Sequence, residues 1–102
     1  MEVEILTDKN IEDLLKESLG EKNPSSSRLA FLKQAINSAK MFITREGITL
    51  PSNNYTEEDA QLIVMYADYL IRKRATDDKM PRMLRWALNN RLFSEKGAAD
   101  VT

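Results

Sequence analysis

Two groups of side chains in this 102-residue chain have the make-up of a chemical site. Three adjacent carboxylates, Glu57, Glu58 and Asp59, could supply the acid and base of a proton-transfer pair. A cationic group, Arg72, Lys73, Arg74, Arg82, Arg85 and Arg91, with Trp86 and Asn89 beside it in sequence, could bind anions or stack on bases. The first group has a simpler reading. The acids directly follow Thr56 and precede a long apolar run, so they suit the positive end of a helix dipole, and Thr56 with Asp59 three residues on has the spacing of a capping box. The chain contains no histidine and no cysteine. Imidazole or thiolate metal ligation, Cys-His and Ser-His catalysis and any disulfide framework are therefore excluded. Gly20, Gly47 and Gly97 are isolated and stand where helices are expected to end, which leaves no glycine-rich phosphate loop. No catalytic residue, cofactor or metal ligand is expected, and the chain reads as a surface for contact rather than as an enzyme.

The elements that must position these residues are helical. A first helix is expected from residue 7 or 8 to 19, with Ile11, Leu14, Leu15 and Leu19 on one face and Gly20 as its stop. Residues 21–27 form a loop whose serines offer an N-cap to a second and longest helix reaching about residue 46. There Leu29, Leu32, Ile36, Ala39 and Ile43 make a stripe that Phe31, Ala35 and Phe42 widen. Residues 48–55, with Pro51, Ser52, Asn53 and Asn54 in sequence, have a turn composition. A central helix over about 57–74 carries a single charge, Asp68, between residues 62 and 71, and is apolar around its whole circumference, so burial on all sides is expected. Pro81 then starts a last helix over about 81–95, on which Met80, Leu84, Ala87, Leu88 and Leu92 share one face and Arg82, Arg85 and Asn89 another. Trp86 falls off the packing stripe and suits either local packing or a subunit contact. The fold expected is an all-α bundle of about four helices in one domain over residues 1–96, followed by a disordered tail over 97–102.

Composition bounds the rest. Fifteen basic and 16 acidic residues leave a net charge of −1, which argues against a general nucleic-acid binder. The distribution is uneven. Over residues 1–24 three lysines face seven acids, among them Glu12, Asp13 and Glu17, for −4, while over residues 72–96 eight cations face three acids for +5. Such ends can pair locally within one subunit, attract an anionic partner, or meet across a subunit contact, and local pairing is the simplest of the three. The N-terminus lacks the basic start and apolar stretch of a signal peptide, and the longest uncharged apolar run, 60–67, falls far short of the ~20 residues that span a bilayer. A soluble product made in the cytoplasm, without membrane contact, is expected.

The run YADYLIRKR over 66–74, then MPRML over 80–84 and LNNRLFS over 88–94, resembles the head-tail connector, or adaptor, proteins of long-tailed double-stranded DNA bacteriophages. The likeness extends in outline to the short first helix, the longer helix after serines and the GITLP loop at 47–51. It implies a small helical subunit, made in the host cytoplasm, that assembles in the virion as a ring, usually of twelve, below the portal. The ring adapts the portal to the next stopper or tail component, without catalysis, and single copies can be monomeric until the portal templates them. A ring of this kind closes heterologous contacts, in which each copy presents one surface to the preceding copy and another to the following one. Under this reading the acidic face of Glu12, Asp13 and Glu17 would meet the basic residues 72–91 of a neighbour, or those cations would face the portal or the DNA in the lumen. The competing expectations are a free helical nucleic-acid-binding module using Arg82, Arg85 and Arg91, and a small regulator that binds one protein through its methionine-rich last helix.

Overall fold

The computed structural model describes residues 6–51, 54–76 and 79–100. It contains four helices, α1 (Asp8–Leu19), α2 (Ser26–Arg45), α3 (Glu57–Thr76) and α4 (Arg82–Asp100), and no strand among the described residues. The all-α expectation holds, with most boundaries within two residues. Residues 1–5 of the acidic end, Ser52 and Asn53 of the turn-rich loop, Asp77 and Asp78 before the last helix, and the final two residues lie outside the described part.

Local chemistry sets the helix ends. Thr7 caps α1 in a reciprocal box: its hydroxyl accepts from the Asn10 amide at 3.4 Å while the Asn10 side-chain oxygen accepts from the Thr7 amide at 2.8 Å. Ser25 caps α2 by accepting from the Arg28 amide at 3.1 Å. Thr56 caps α3 by accepting from the Asp59 amide at 3.2 Å, but the Asp59 carboxylate does not return to complete the box; it is committed elsewhere, as described below. Pro81 stands one residue earlier than its expected place in the first turn. Its carbonyl accepts from the Arg85 amide at 3.1 Å, so it acts as the cap and Arg82 begins the helix. Gly97 does not end α4, which continues to Asp100 where a disordered tail was expected; an internal glycine weakens a helix by about 1 kcal/mol relative to alanine without forbidding it.

The core is built around α3, which touches all three other helices. Ile11 and Leu15 of α1, Leu32, Ile36, Ala39 and Ile43 of α2, Ala60, Ile63 and Ala67 of α3, and Leu84 and Leu88 of α4 are all buried. The connection between α2 and α3 contributes as much as a helix would. Ile48 and Tyr55 in it are buried, and Tyr55 exchanges two backbone hydrogen bonds with Leu6, at 2.9 and 2.8 Å, in a single antiparallel bridge. Expected burial of α3 on every side is not met. Ala60, Leu62, Ile63, Tyr66 and Ala67 are buried, while Val64, Met65, Tyr69, Leu70 and Ile71 are only half-buried. The reason is the placement of α4: Arg91 reaches Asp59 in the first turn of α3 and Arg85 reaches Glu46 at the end of α2, so α4 lies beside the first half of α3. The second half meets α2 and the end of α1, where the Ser18 hydroxyl donates to Asp68 at 2.9 Å, and is open beside Leu70 and Ile71. The molecule is correspondingly flat, with extents of 47 × 34 × 20 Å.

Candidate interaction surface

Helix α4 carries two apolar stripes. The inner one, Leu84 and Leu88 with Ala87 and Leu92, packs against the core as expected from its spacing. The outer one is Met83, Trp86 and Phe93, which are 68%, 65% and 78% exposed. Spacings of three and seven residues put them on a common face, with Asn90 filling the intervening position. Isolated exposed apolar residues are ordinary, but three large ones aligned on one helix make a candidate contact surface. A shallow groove of ≈ 310 Å³ runs along its inner edge, where Trp86, Met83 and Ala87 of α4 face Leu62, Met65 and Gln61 of α3.

The arginines predicted to share this surface divide into engaged and displayed. Arg91 is drawn inward: its Nε donates to the Asp59 carboxylate at 2.8 Å, its Nη2 donates to the Thr49 carbonyl at 3.2 Å, and its Nη1 lies 3.5 Å from Glu95. Asp59 is 4% exposed, the one buried charged residue of the described chain. Its amide donates to the Thr56 cap while its carboxylate holds Arg91, so Asp59 is a structural clamp joining α3 to α4. The Arg91 guanidinium is held above its usual pKa, first by the hydrogen bond to Asp59, against a smaller opposing effect of burial. Glu95 closes the clamp by accepting from the Thr49 amide at 2.8 Å, and its carboxyl is held below the usual range chiefly by Thr49. Arg85 donates to Glu46 at 2.5 Å and Arg72 to Asp68 at 2.5 Å. Arg82, Trp86 and Asn89 are exposed on α4, and Arg82 has no ion pair among the described residues. Lys73 is exposed on α3 and lies over the Tyr69 ring at 5.8 Å from its centroid. Arg74 belongs to the last turn of α3, with its side chain outside the described part.

The acidic end behaves likewise. Asp8 accepts from Lys40 at 2.7 Å, Glu12 lies 3.8 Å from Lys33, Asp13 lies 3.3 Å from Lys16, and Glu21 holds Arg28 through both oxygens. Glu17 is exposed, beside Asp13, Leu14 and Glu57 in a shallow groove between α1 and α3. Part of each charged end thus pairs with the middle of its own chain, while Glu17, Lys73 and Arg82 make no ion pair among the described residues. The acidic end meets the lysines of α2, and the basic end meets Glu46, Asp59 and Asp68.

A second surface lies between α2 and α3. Phe31, Ala35 and Phe42 of α2 with Leu70 and Ile71 of α3 line an open cleft of ≈ 540 Å³, with Gln34, Ser38 and Lys73 at its edge. Phe42 stacks on Tyr66 at 5.8 Å and Tyr66 meets Tyr69 edge-on at 6.0 Å. Burial raises the Tyr66 phenol above its usual pKa, so it stays neutral at every physiological pH. Sequence reasoning missed this cleft and the outer position of Phe93. The signal for Phe93 was present in the three-four-three spacing of residues 83, 86, 90 and 93, but the cleft arises only from how two helices cross. Among the described residues no group of three or more acidic, histidine or cysteine side chains could hold a metal ion, and no helix is long and apolar enough to cross a membrane. Comparison of the chain with protein families, with curated proteins and with solved structures gives no match.

Proposed function

We propose that this chain is a structural subunit of a phage head-tail connector, a ring-forming adaptor that sits below the portal in the virion and joins the DNA-filled head to the next stopper or tail component. The observation that carries this reading is the outer stripe of α4, where Met83, Trp86 and Phe93 are displayed to solvent on a helix whose other face is fully used in the core. Leaving three large apolar side chains in water is unfavourable by roughly 1.5–3 kcal/mol each relative to burial, which a partner surface recovers. The half-covered cleft at the other end of α3 supplies a second, different surface. Two unlike surfaces on one subunit suit an adaptor, which must hold different neighbours at once. The resemblance over 66–94 supplies the biological setting.

The nucleic-acid-binding alternative loses its main argument, because Arg85 and Arg91 are already engaged by Glu46 and Asp59. Counter-ion release needs cations that are available to phosphate, and on α4 Arg82 is the one displayed without an ion pair among the described residues. The proposal is tested by imaging particles of the virus that encodes the chain after the gene is disrupted. Filled heads that leak DNA or fail to join tails are the expected outcome; normal infectious particles would refute it.

A further inference from the structure

We infer that the α2–α3 cleft is a docking site for an amphipathic helix of a partner protein whose apolar stripe is flanked by carboxylates. This inference stands independently of the connector reading. Its first support is architectural. Helix α4 covers the first half of α3, and α3 is 20 residues, or about 30 Å, long. Asp59, where α4 is clamped, and Ile71 in the cleft are 12 residues apart, about 18 Å along the helix. The position that a further bundle helix would take beside Leu70 and Ile71 is therefore open, with apolar and aromatic side chains as its floor. A groove between two packed helices receives a third helix through anchors at i, i+3 or i+4, and i+7.

The second support is charge. Among the described residues no carboxylate lines the cleft. Cations stand over the aromatic rings of its floor and rim: Arg45 over Phe42 at 5.7 Å, Lys73 over Tyr69 at 5.8 Å, and Arg28 over Phe31 at 5.1 Å. Arg28 is neutralised by Glu21, whereas neither Arg45 nor Lys73 is ion-paired among the described residues. Lys73 lines the cleft and Arg45 stands over the ring of Phe42, which lines it, so a helix seated there meets positive charge. Carboxylates on its flanks are favoured and basic residues are rejected. The same rule disfavours the outer stripe of α4 from a second copy, because Arg82 would enter a cationic site.

The test uses the full chain and two synthetic helical peptides of about 18 residues. Both carry leucines at i, i+3 and i+7; one is flanked by glutamates and the other by lysines. Binding is read by fluorescence anisotropy and located by methyl chemical shifts of Ala35, Leu70 and Ile71. The glutamate peptide is expected to bind at those methyls with an affinity that falls as salt rises, and the lysine peptide is expected to bind at least about ten-fold more weakly. Arg45→Glu with Lys73→Glu should reverse that preference while the protein stays folded, which a general loss of structure could not do. Ser38→Phe, which narrows the cleft without removing a core side chain, should weaken both peptides. Equal binding of the two peptides, binding of neither, or shifts elsewhere would overturn the inference. So would concentration-dependent self-association that shifts the same methyls, which would make the occupant a second copy, or a response to decanoate alone, which would make it a small amphiphile.

Discussion

Asp59 shows how one side chain can be misread until its partner is in view. As the third of three acids after Thr56 it has the look of a helix-capping residue or half of a carboxylate pair, and nothing local reveals Arg91, 32 residues away, as its partner. Removing the guanidinium leaves a buried carboxylate, so Arg91→Met should destabilise the fold by about 3 kcal/mol, against about 1 kcal/mol for Asp59→Asn, which keeps an acceptor for Arg91. Urea unfolding compares the two, and equal small losses would show that the clamp is not a fixed pair. The Asp8–Lys40 pair makes a pH prediction. The hydrogen bond from Lys40 holds the Asp8 carboxyl below its usual value of 3.8, while burial, the largest single effect on Lys40, is outweighed by Asp8 and Tyr55 together, leaving the amine above 10.5. A depressed acid stabilises the fold above its unfolded pKa and loses that contribution as pH falls through the folded value; a raised base stabilises below its unfolded pKa and loses it as pH rises through the folded value. The stability difference between wild type and Lys40→Met should therefore be present from about pH 4 to pH 10 and shrink outside that window. Because Asp8 is well exposed, a few tenths of a kcal/mol is expected. A difference that grows below pH 4 would contradict the pairing.

At the scale of elements, helices were legible because their signals are local. Apolar residues at three- and four-residue spacing, serine and threonine caps, and Gly20 and Gly47 set α1, α2 and α3 from sequence alone. The continuation of α4 past Gly97 was not legible, since glycine weakens a helix without fixing where it stops. Nor was the extent to which α3 is covered, because an all-apolar helix states a need for cover without saying whether its own chain meets that need. Gly47 combines local and long-range demands. Its φ of 103° is strained for any L side chain, and a Cβ there would approach the Leu92 Cδ1 to 3.2 Å, whereas Gly20, at φ 73°, faces open space. Gly47→Ala should cost about 2 kcal/mol and Gly20→Ala about 1 kcal/mol. Thermal unfolding of both variants checks the order, and a smaller loss at Gly47 would mean that α4 yields easily at this contact.

For the whole molecule, the relevant contrast is between surfaces spent on folding and surfaces left over. Charge asymmetry between the ends left local pairing as the simplest expectation, and Asp8, Arg85 and Arg91 do meet partners in the middle of the same chain, but which partners they meet depends on tertiary placement and could not be read from position in sequence. Beside a few displayed cations, what remains uncommitted is apolar: the outer stripe of α4 and the cleft beside α3. Met83→Ser, Trp86→Ser and Phe93→Ser together should leave unfolding stability within about 1.5 kcal/mol of wild type, because surface positions outside the core rarely contribute more than about 0.5 kcal/mol each. For the proposed connector role the decisive measurement is the mass of the complex formed when the purified chain is mixed with the portal protein of the phage proposed to encode it. Wild type should add many copies to each portal, in a number matching a closed ring, and the triple serine variant, equally well folded, should add none. Equal loading by the variant, or no loading by wild type, would contradict the account.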